Sequence, residues 1–276
     1  MRLGIPFLVG VTAYQGGTGK TTVAFNAGLE FARPRGFDGV PACPVVMIDL
    51  DPQGQARKGG RTLVSLFEDG PFERHSIRIS VSDFRMWKVE YDPNGFDDIV
   101  RKDVPFGTAL LAVPRKGLER INASSLRRLI GEVHELVGDP PIALVDTPPM
   151  NVRAEWVRNI LVECDLVVPV ADFRSIKQLS RFFRESGYVT RFAVLNKVFE
   201  GRTKEAEFLR KRVKEELSRL PIDTESDLIW VPDSEVIRVA TDLGVPVRMR
   251  FNSYGYATPF RRIARRITLE WSRRVI

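Results

Sequence analysis

The sequence has few cysteines and no long apolar run. Cys43 and Cys164 are the two thiols of a 276-residue chain, too few for a disulfide framework or a four-cysteine metal site. No apolar stretch approaches the ~18 residues that a membrane-spanning helix needs. The first ten residues, MRLGIPFLVG, lack the layout of a signal peptide, because their apolar run leads directly into a glycine loop. These absences predict a cytoplasmic protein.

The composition suits a single large domain with one strongly basic region. Hydrophobic residues make up 43% of the chain and charged residues 28%, as expected of one α/β domain over residues 1–276. The net charge is +7, and residues 248–276 hold eight Arg and one Glu, so this segment alone accounts for it. A localised basic surface favours a polyanionic partner, either nucleic acid or an anionic membrane. The alternative is a solvated face of an Arg-rich protein.

A glycine-rich loop follows the first apolar run. Phe7 to Val11 has the composition of a buried parallel strand, and QGGTGKTT then opens a helical pattern. In this context backbone N–H groups and a helix N-terminus bind phosphate, although a flexible Gly/Thr turn is the alternative. Lys20 would reach the β- and γ-phosphates, and the Thr21 hydroxyl would ligate Mg²⁺. The candidate nucleotide-binding residues here are Gln15, Gly16, Gly17, Thr18, Gly19, Lys20, Thr21 and Thr22.

Two further apolar strands end in acids. Val45 to Ile48 leads into Asp49, Leu50 and Asp51, and the strand before Asp146 leads into the sequence DTPP. Ligands bind at the carboxyl ends of strands in open α/β sheets, so these acids are candidates for the same site. One carboxylate of the first pair could position an attacking water, although a polar β-turn is the alternative. Asp146 would hold the Mg²⁺ shell.

Later strands follow the same plan. One ends at Asn196, whose amide could read an adenine edge or could simply cap a helix or turn, and the last ends at Pro232. Strand and helix alternate at least six times, which predicts a doubly wound, mostly parallel sheet flanked by helices. Both cysteines precede strands, so we expect buried structural thiols at the edge opposite the glycine loop.

Residues 57–107 are the least regular part of the chain. We expect a short helix over Thr62–Phe67 and a strand over Ile77–Val81, and we assign no chemistry to this elaboration.

The basic tail has the pattern of an amphipathic helix over residues 259–275. Phe260, Ile263, Ala264, Ile267, Trp271 and Val275 share one face of a helical wheel. The opposite face carries arginines, of which Arg262, Arg265 and Arg266 are the candidates for contacts with DNA phosphates. We expect the apolar stripe to pack against the sheet, and a membrane-binding face is the alternative.

These motifs resemble the deviant Walker A loop ATPases of the ParA/MinD family. The glycine spacing matches K-G-G-x-G-K-T-T after its first residue, and IDLDPQG and DTPP match the family's I-D-x-D-P-Q-G and D-x-P-P. The likeness extends from Phe7 to the last helix. It implies a P-loop NTPase fold with ATP and Mg²⁺, Asp51 as the water-orienting acid and Asp49 in support. It also implies a base-contacting Asn196 and a closing loop after Pro232 near the base.

The chain departs from the family pattern at two positions of the loop. Tyr14 stands where the ordinary Walker A motif has Gly, and Gln15 replaces the family's signature lysine. In the family that lysine reaches the phosphates of the partner subunit's ATP. Gln can donate a hydrogen bond but carries no charge, so the contact between subunits and the hydrolysis rate that the resemblance implies do not carry over directly to this chain.

The resemblance implies a partitioning ATPase associated with the nucleoid. ATP would close a homodimer that binds DNA non-specifically, and a centromere-binding protein would stimulate hydrolysis. Gln15 favours a second hypothesis, a weakly hydrolysing or regulatory switch that acts at a membrane or on a protein partner. A biosynthetic ligase such as dethiobiotin synthetase shares the loop, but DPQG and the basic tail argue against it.

Overall fold

One sheet organises the part of the chain that the computed structural model describes, which is residues 4–51, 61–96, 98–102, 104–184, 189–198, 204–218, 227–250 and 254–274. Its described strands are β1 (Phe7–Thr12), β2 (Val45–Asp49), β3 (Phe72–Ile77), β4 (Phe84–Tyr91), β5 (Ala109–Pro114), β6 (Ile142–Asp146), β7 (Leu166–Ala171), β8 (Ala193–Val198) and β9 (Leu228–Pro232). The α-helices are α1 (Lys20–Leu29), α2 (Leu63–Asp69), α3 (Ala123–Val137), α4 (Met150–Val162), α5 (Ile176–Arg184), α6 (Lys204–Leu217), α7 (Glu235–Asp242) and α8 (Tyr254–Arg273).

The strand order is β3-β4-β5-β2-β6-β1-β7-β8-β9. From β5 to β9 all neighbours pair in parallel, and β3 and β4 add an antiparallel hairpin at one edge. The prediction of a mostly parallel, doubly wound sheet is therefore confirmed.

The central strands are apolar throughout because helices cover both faces of the sheet. Every residue of β1, β2 and β6 is buried, so none shows the alternation of a half-exposed strand. Their registers pair Val11 with Asp146 and Asp49 with Asp146. The parallel pairing thus brings the carboxyl ends of three strands to one edge of the sheet, which we call the upper edge.

Two apolar layers hold the helices on the sheet. On one face α1, α2 and α8 pack against the sheet, with Phe25, Phe67 and Ile267 among their buried side chains. On the other face α3 and α4 bury residues such as Leu129 and Ile160. Helices therefore cover both faces of the sheet and shield it from water.

In the irregular region, residues 57–107, the sequence predicts one helix correctly and one strand wrongly. The expected short helix is confirmed as α2, whose N-cap Thr62 accepts a hydrogen bond from the backbone N–H of Ser65. The expected strand over Ile77–Val81 is wrong, because only Ile77 belongs to a strand. Ile79 and Val81 are buried from a loop instead, where the carboxylate of Glu132 accepts the backbone N–H of Val81 at 3.1 Å. The alternating apolar residues therefore reflected burial of a loop.

The basic tail forms α8, which begins at Tyr254, earlier than the predicted start at 259. Phe260, Ile263 and Trp271 are each 1% exposed, so the apolar stripe packs into the core as expected. Ala257, before Pro259, is also buried in this core, so the packed face of the helix extends beyond the predicted start. Among the described residues no helix combines the length and apolar character needed to cross a bilayer.

We expect Trp271→Ala to lower the free energy of unfolding by about 3–5 kcal/mol, as large-to-small core changes do. The indole ring stacks on Phe7 with ring centroids 5.9 Å apart, and its Nε1 donates to the carbonyl of Ile5 at 2.9 Å. Chemical denaturation would measure the loss, with Leu269→Ala on the exposed side of α8 as the control. Equal losses in the two variants would contradict the assignment of the stripe to the core.

Candidate nucleotide site

The glycine loop joins β1 to α1 at the upper edge. Gly17 and Gly19 have φ angles of +76° and +89°, a left-handed conformation that glycine adopts without steric cost. A Cβ on Gly19 would lie 2.0 Å from the amide nitrogen of Asn196, so this position has no space for a side chain. Gly19 is the N-cap of α1 and provides no side-chain cap for the first turn. The backbone N–H groups at the start of α1 can therefore donate hydrogen bonds to the oxygens of an anion.

The predicted phosphate and metal ligands lie together at this loop. Lys20 is the first residue of α1 and is buried, and Thr21 follows it. The Thr21 hydroxyl donates to Oδ2 of Asp146 at 2.6 Å across 125 positions of sequence. The Lys20 charge also acts on Asp146, whose pKa it lowers. The fold thus brings the Lys20 cation, the Thr21 hydroxyl and the Asp146 carboxylate into one site.

The acids at the ends of β2 and β6 are neighbours in a buried environment. Burial raises the pKa of Asp49 to about 7, and the charge of Asp146 adds to the rise. Burial also raises the pKa of Asp146 to about 6, although the Lys20 charge and the Thr21 hydrogen bond oppose it. The pKa values of both carboxyl groups are thus well above their ordinary values. This arrangement favours the binding of a cation, because a cation stabilises the charged forms of the two carboxylates.

Three buried oxygen atoms around the loop lack hydrogen-bond partners among the described residues. They are Oγ1 of Thr12, Oγ1 of Thr18 and Oδ1 of Asp146. Leaving a buried polar atom unpaired is costly, so such atoms indicate places where a ligand or water completes the site. Oδ1 of Asp146, beside the Thr21 hydroxyl, fits the shell of a Mg²⁺ ion.

The predicted water-orienting acid lies beside these two carboxylates. Asp51 follows β2 by two residues and is half-buried, and its charge raises the pKa of both Asp49 and Asp146. Asp49 itself accepts two backbone N–H groups, from Asp51 and Val64, each at 3.0 Å. Asp49 therefore holds the turn after β2 and the start of α2. The rest of the DPQG motif lies outside the described residues.

Asn196 and Lys197 hold the glycine loop from the side of β8. Asn196 is buried and its amide nitrogen donates to the carbonyl of Thr18 at 2.8 Å. Lys197 has a left-handed φ of +59°, and its Nζ donates to the carbonyl of Gly17 at 2.6 Å. The role of Asn196 toward adenine stays a prediction, and its amide nitrogen already has a partner. Lys197 was missed as a site residue, although its place directly after Asn196, where the sequence predicts the end of a strand, was a usable signal.

Pro232, the last of the predicted site residues, also lies at the upper edge of the sheet. Pro232 ends β9 and is paired in register with Val198, which follows Lys197 by one residue. Asp233 then donates its backbone N–H to the carbonyl of Val198 at 2.8 Å, and Ser234 caps α7. Pro232 is thus placed next to the strand end that holds the loop, and its contact with a base stays a prediction.

The two departures from the Walker A pattern have different surroundings. Tyr14 packs against the core cluster on the α4 side, and its carbonyl accepts the backbone N–H of Asn151 at 3.0 Å. The Tyr14 side chain therefore fills space beside α4, at the position where the Walker A motif has glycine. Gln15 is half-buried and Gly16 is exposed, so the start of the loop remains partly open to solvent. Thr22, on the first turn of α1, is also half-buried.

The candidate DNA-binding arginines are not equally available. Arg262 is exposed on α8, as expected. Arg265 forms an ion pair with Asp38, and Arg266 one with Asp227 at 2.7 Å. The expectation of an arginine face open to phosphates therefore needs correction at these two positions, because acids from neighbouring loops reach α8.

The cysteines lie where their sequence positions predicted. Cys164 precedes β7 and is buried, and Cys43 precedes β2 and is half-buried. Burial raises the pKa of both thiols, that of Cys43 to about 12. Both residues come before their strands, at the edge opposite the glycine loop, so they take no part in the candidate site.

The loop, the acids at adjacent strand ends and the parallel sheet define a P-loop nucleotide-binding fold. No protein-family model and no curated protein sequence matches the chain. Solved structures do match it. The chain is similar to a chain of the MinC:MinD cell division complex of Aquifex aeolicus, with a TM-score of 0.55 and 16% identity over 94% of each chain.

Two further structures give the same result. An ATP complex of McdA from Cyanothece has a TM-score of 0.54 and 14% identity, covering 96% of this chain and 97% of its own. The cell division ATPase MinD of Pyrococcus furiosus has a TM-score of 0.52 and 17% identity, covering 98% and 99%. The fold is that of the ParA/MinD-type P-loop ATPases, as the motifs predicted.

Proposed function

We propose that this protein is a partitioning-type ATPase that binds and hydrolyses ATP with Mg²⁺. The observation that carries the proposal is the 2.6 Å hydrogen bond from Thr21 to Asp146, with the Lys20 ammonium acting on the same carboxylate. Lys20 would bind the β- and γ-phosphates, and Thr21 and Asp146 would hold the Mg²⁺ shell. Bound Mg²⁺ would neutralise charge that develops on the phosphates.

The remaining site residues would position the loop and the water. Asp51 would orient the attacking water, and its position beside Asp49 and Asp146, outside the glycine loop, supports this role. Asn196 and Lys197 would keep the loop carbonyls turned outward, which leaves the amides of the loop for phosphate oxygens.

We further propose an ATP-dependent homodimer that binds DNA non-specifically and associates with the nucleoid, with a centromere-binding protein as the stimulating partner. The fold shared with cell division ATPases and with an ATP complex of McdA supports a nucleotide-dependent assembly. The positive charge on α8 supports a polyanionic partner. Membrane binding by α8 is disfavoured, because its apolar face is occupied by the core.

A weakly hydrolysing nucleotide switch is the second candidate. Gln15 favours it, since the residue at the start of the loop is partly exposed and carries no charge. An uncharged amide would stabilise a phosphate across a dimer less than an ammonium would. The two candidates differ in the turnover that accompanies dimer formation.

Sedimentation of the full chain with ATP, with ADP and without nucleotide tests the proposal, each with and without duplex DNA. We expect a dimer with ATP alone and co-sedimentation of that dimer with DNA. An ATP-bound monomer that ignores DNA would contradict the partitioning proposal. A stable ATP dimer with no turnover over many hours would favour the switch.

We expect ATP affinity in the presence of Mg²⁺ to fall by about tenfold per pH unit below pH 6, because Mg²⁺ needs the charged form of Asp146. The raised pKa values have the opposite effect on the metal-free fold. Between about pH 4 and pH 7 the folded state binds more protons than the unfolded state, so Asp49 and Asp146 make the free energy of unfolding fall as pH rises. Titration calorimetry with ATP and Mg²⁺ at several pH values would measure the first trend, and chemical denaturation without Mg²⁺ at the same pH values would measure the second. An ATP affinity independent of pH would contradict the metal assignment.

A further inference from the structure

A compact basic surface lies beside the first half of α8, at the edge of the sheet opposite the nucleotide site. It is formed by α8 and by the loop between α1 and β2. We call it the arginine surface, and its members are Arg33, Arg35, Arg261, Arg262 and Arg265. Arg35 and Arg262 are exposed, and the other three are partly buried.

A tight turn places one carboxylate on this surface. Phe37 and Val40 exchange two backbone hydrogen bonds of 2.9 Å, and Asp38 and Gly39 between them have φ angles of +55° and +81°. Two central residues with positive φ form the type I′ turn for which Asp-Gly is a preferred pair. The turn fixes the Asp38 carboxylate in an ion pair with Arg265, and its second oxygen lies 4.0 Å from Arg261.

The surface carries more positive than negative charge and displays an aromatic ring. Phe37 is 49% exposed, and the guanidinium carbons of Arg33 and Arg261 lie 5.2 and 5.0 Å from its ring centroid. The second acid nearby, Glu30, is buried beneath the surface, where it pairs with Arg33 and lies 3.8 Å from Arg261. The five arginines of the surface outnumber these two carboxylates, and the excess of positive charge favours an anionic partner.

We propose that the arginine surface binds the DNA backbone and that Asp38 occupies the place of one phosphate until DNA displaces it. The inference rests on the DNA binding proposed above and adds its location and a built-in competitor. Exposed ion pairs contribute little to stability, so Arg265 exchanges the Asp38 carboxylate for a phosphate at small cost. DNA is favoured over an anionic membrane because the loop and the exposed side of α8 display few large apolar side chains among the described residues, Phe37 and Leu269, and the apolar face of α8 is buried.

The other flank of α8 provides a matched control. Arg266 pairs with Asp227 at 2.7 Å and lies over the ring of Phe192, so it faces the β8–β9 side and not the turn. Asp227→Asn removes the same charge from an acid that also pairs with an α8 arginine. Only the Asp38 pair belongs to the arginine surface.

The test compares Asp38→Asn with Asp227→Asn in the full chain with ATP. Asn tolerates the left-handed conformation of Asp38, so the turn is retained. Fluorescence anisotropy of a labelled mixed-sequence duplex would be measured between about 50 and 200 mM salt. We expect Asp38→Asn to tighten binding about fivefold and to leave the salt slope unchanged, because Arg265 contacts the same phosphate in both complexes but no longer has to exchange a carboxylate for it. Asp227→Asn should leave both values unchanged.

A double variant assigns the effect to Arg265. In an Arg265→Gln background, Asp38→Asn should tighten binding by about twofold or less, because the arginine that it would release is absent. Melting temperature and ATP affinity should stay at wild-type values in every variant, since the surface lies away from the nucleotide site.

Each outcome decides a different claim. If wild-type protein binds DNA and Asp38→Asn binds no more tightly, or if Asp227→Asn tightens binding equally, the inference is overturned and the proposed DNA binding stands. If neither wild type nor Asp38→Asn binds DNA with ATP, the DNA-binding part of the proposed function fails together with the inference. Binding instead to phosphatidylglycerol vesicles would identify the surface as a membrane contact and would overturn the inference as well.

Discussion

Lys20→Ala is expected to abolish measurable ATP binding at micromolar concentrations. Lys20 is the buried cation at the first turn of α1, where the loop and the helix N-terminus meet. Truncating one partner of a buried, hydrogen-bonded charge pair costs about 2–5 kcal/mol in binding, which is roughly thirtyfold to several thousandfold in affinity. The loss also removes the charge that lowers the pKa of Asp146, so the metal site weakens at the same time.

Titration calorimetry with ATP and Mg²⁺ would measure this effect. Lys88→Ala is the matched control, because Lys88 is exposed on β4 near the far edge of the sheet. Circular dichroism would show that the Lys20 variant remains folded. An ATP affinity equal to that of wild type would place the nucleotide elsewhere and would remove the basis of the proposed function.

Asp51→Ala is expected to retain ATP binding and to lose turnover by about 10²- to 10⁴-fold, the range that a positioned acid or base contributes. The residue lies beside Asp49 and Asp146 but outside the glycine loop, so we expect it to act on the attacking water and not to bind the phosphates. With hydrolysis blocked, any ATP-dependent dimer should accumulate. Phosphate release and sedimentation with ATP would measure the two consequences.

Asp139 provides a control for this prediction, and Asp49 is the second candidate for the same role. Asp139 is exposed before β6, at the opposite edge, and Asp139→Ala should hydrolyse ATP at the wild-type rate. Wild-type turnover by Asp51→Ala would transfer the role to Asp49. Because Asp49 accepts the backbone N–H groups of Asp51 and Val64, its replacement should also lower the free energy of unfolding.

The strand that the sequence wrongly predicts over Ile77–Val81 has a physical explanation. Buried central strands such as β1 and β6 are continuous apolar runs and were recognised as such. β4, next to the edge strand of the sheet, alternates buried and exposed residues, and Ile79 and Val81 are buried at alternate positions within a loop. Period alone cannot separate these two cases, because a loop can bury every second side chain without pairing with a strand.

The candidate site was predictable to the extent that its residues are local in sequence. QGGTGKTT and the acids after two strands predict a phosphate-binding loop and a neighbouring metal site, since the backbone geometry of such a loop depends on its own glycines. The contacts of Asn196 and Lys197 with the loop join positions about 180 residues apart. Such contacts depend on the order of strands in the sheet, which the sequence pattern leaves undefined.

The sequence by itself determined the strand–helix alternation, the glycine loop, the acids at strand ends and the burial of the apolar side of α8. Each of these follows from periodicity or from the conformational limits of a few neighbouring residues. Only the tertiary structure decided which charges pair. Arg265 and Arg266 lie side by side on one helix, yet the first meets Asp38 from the α1–β2 loop and the second meets Asp227 before β9. Ion pairs depend on distances of a few ångströms between segments far apart in the chain, so packing, and not composition, determines which arginines remain for a partner.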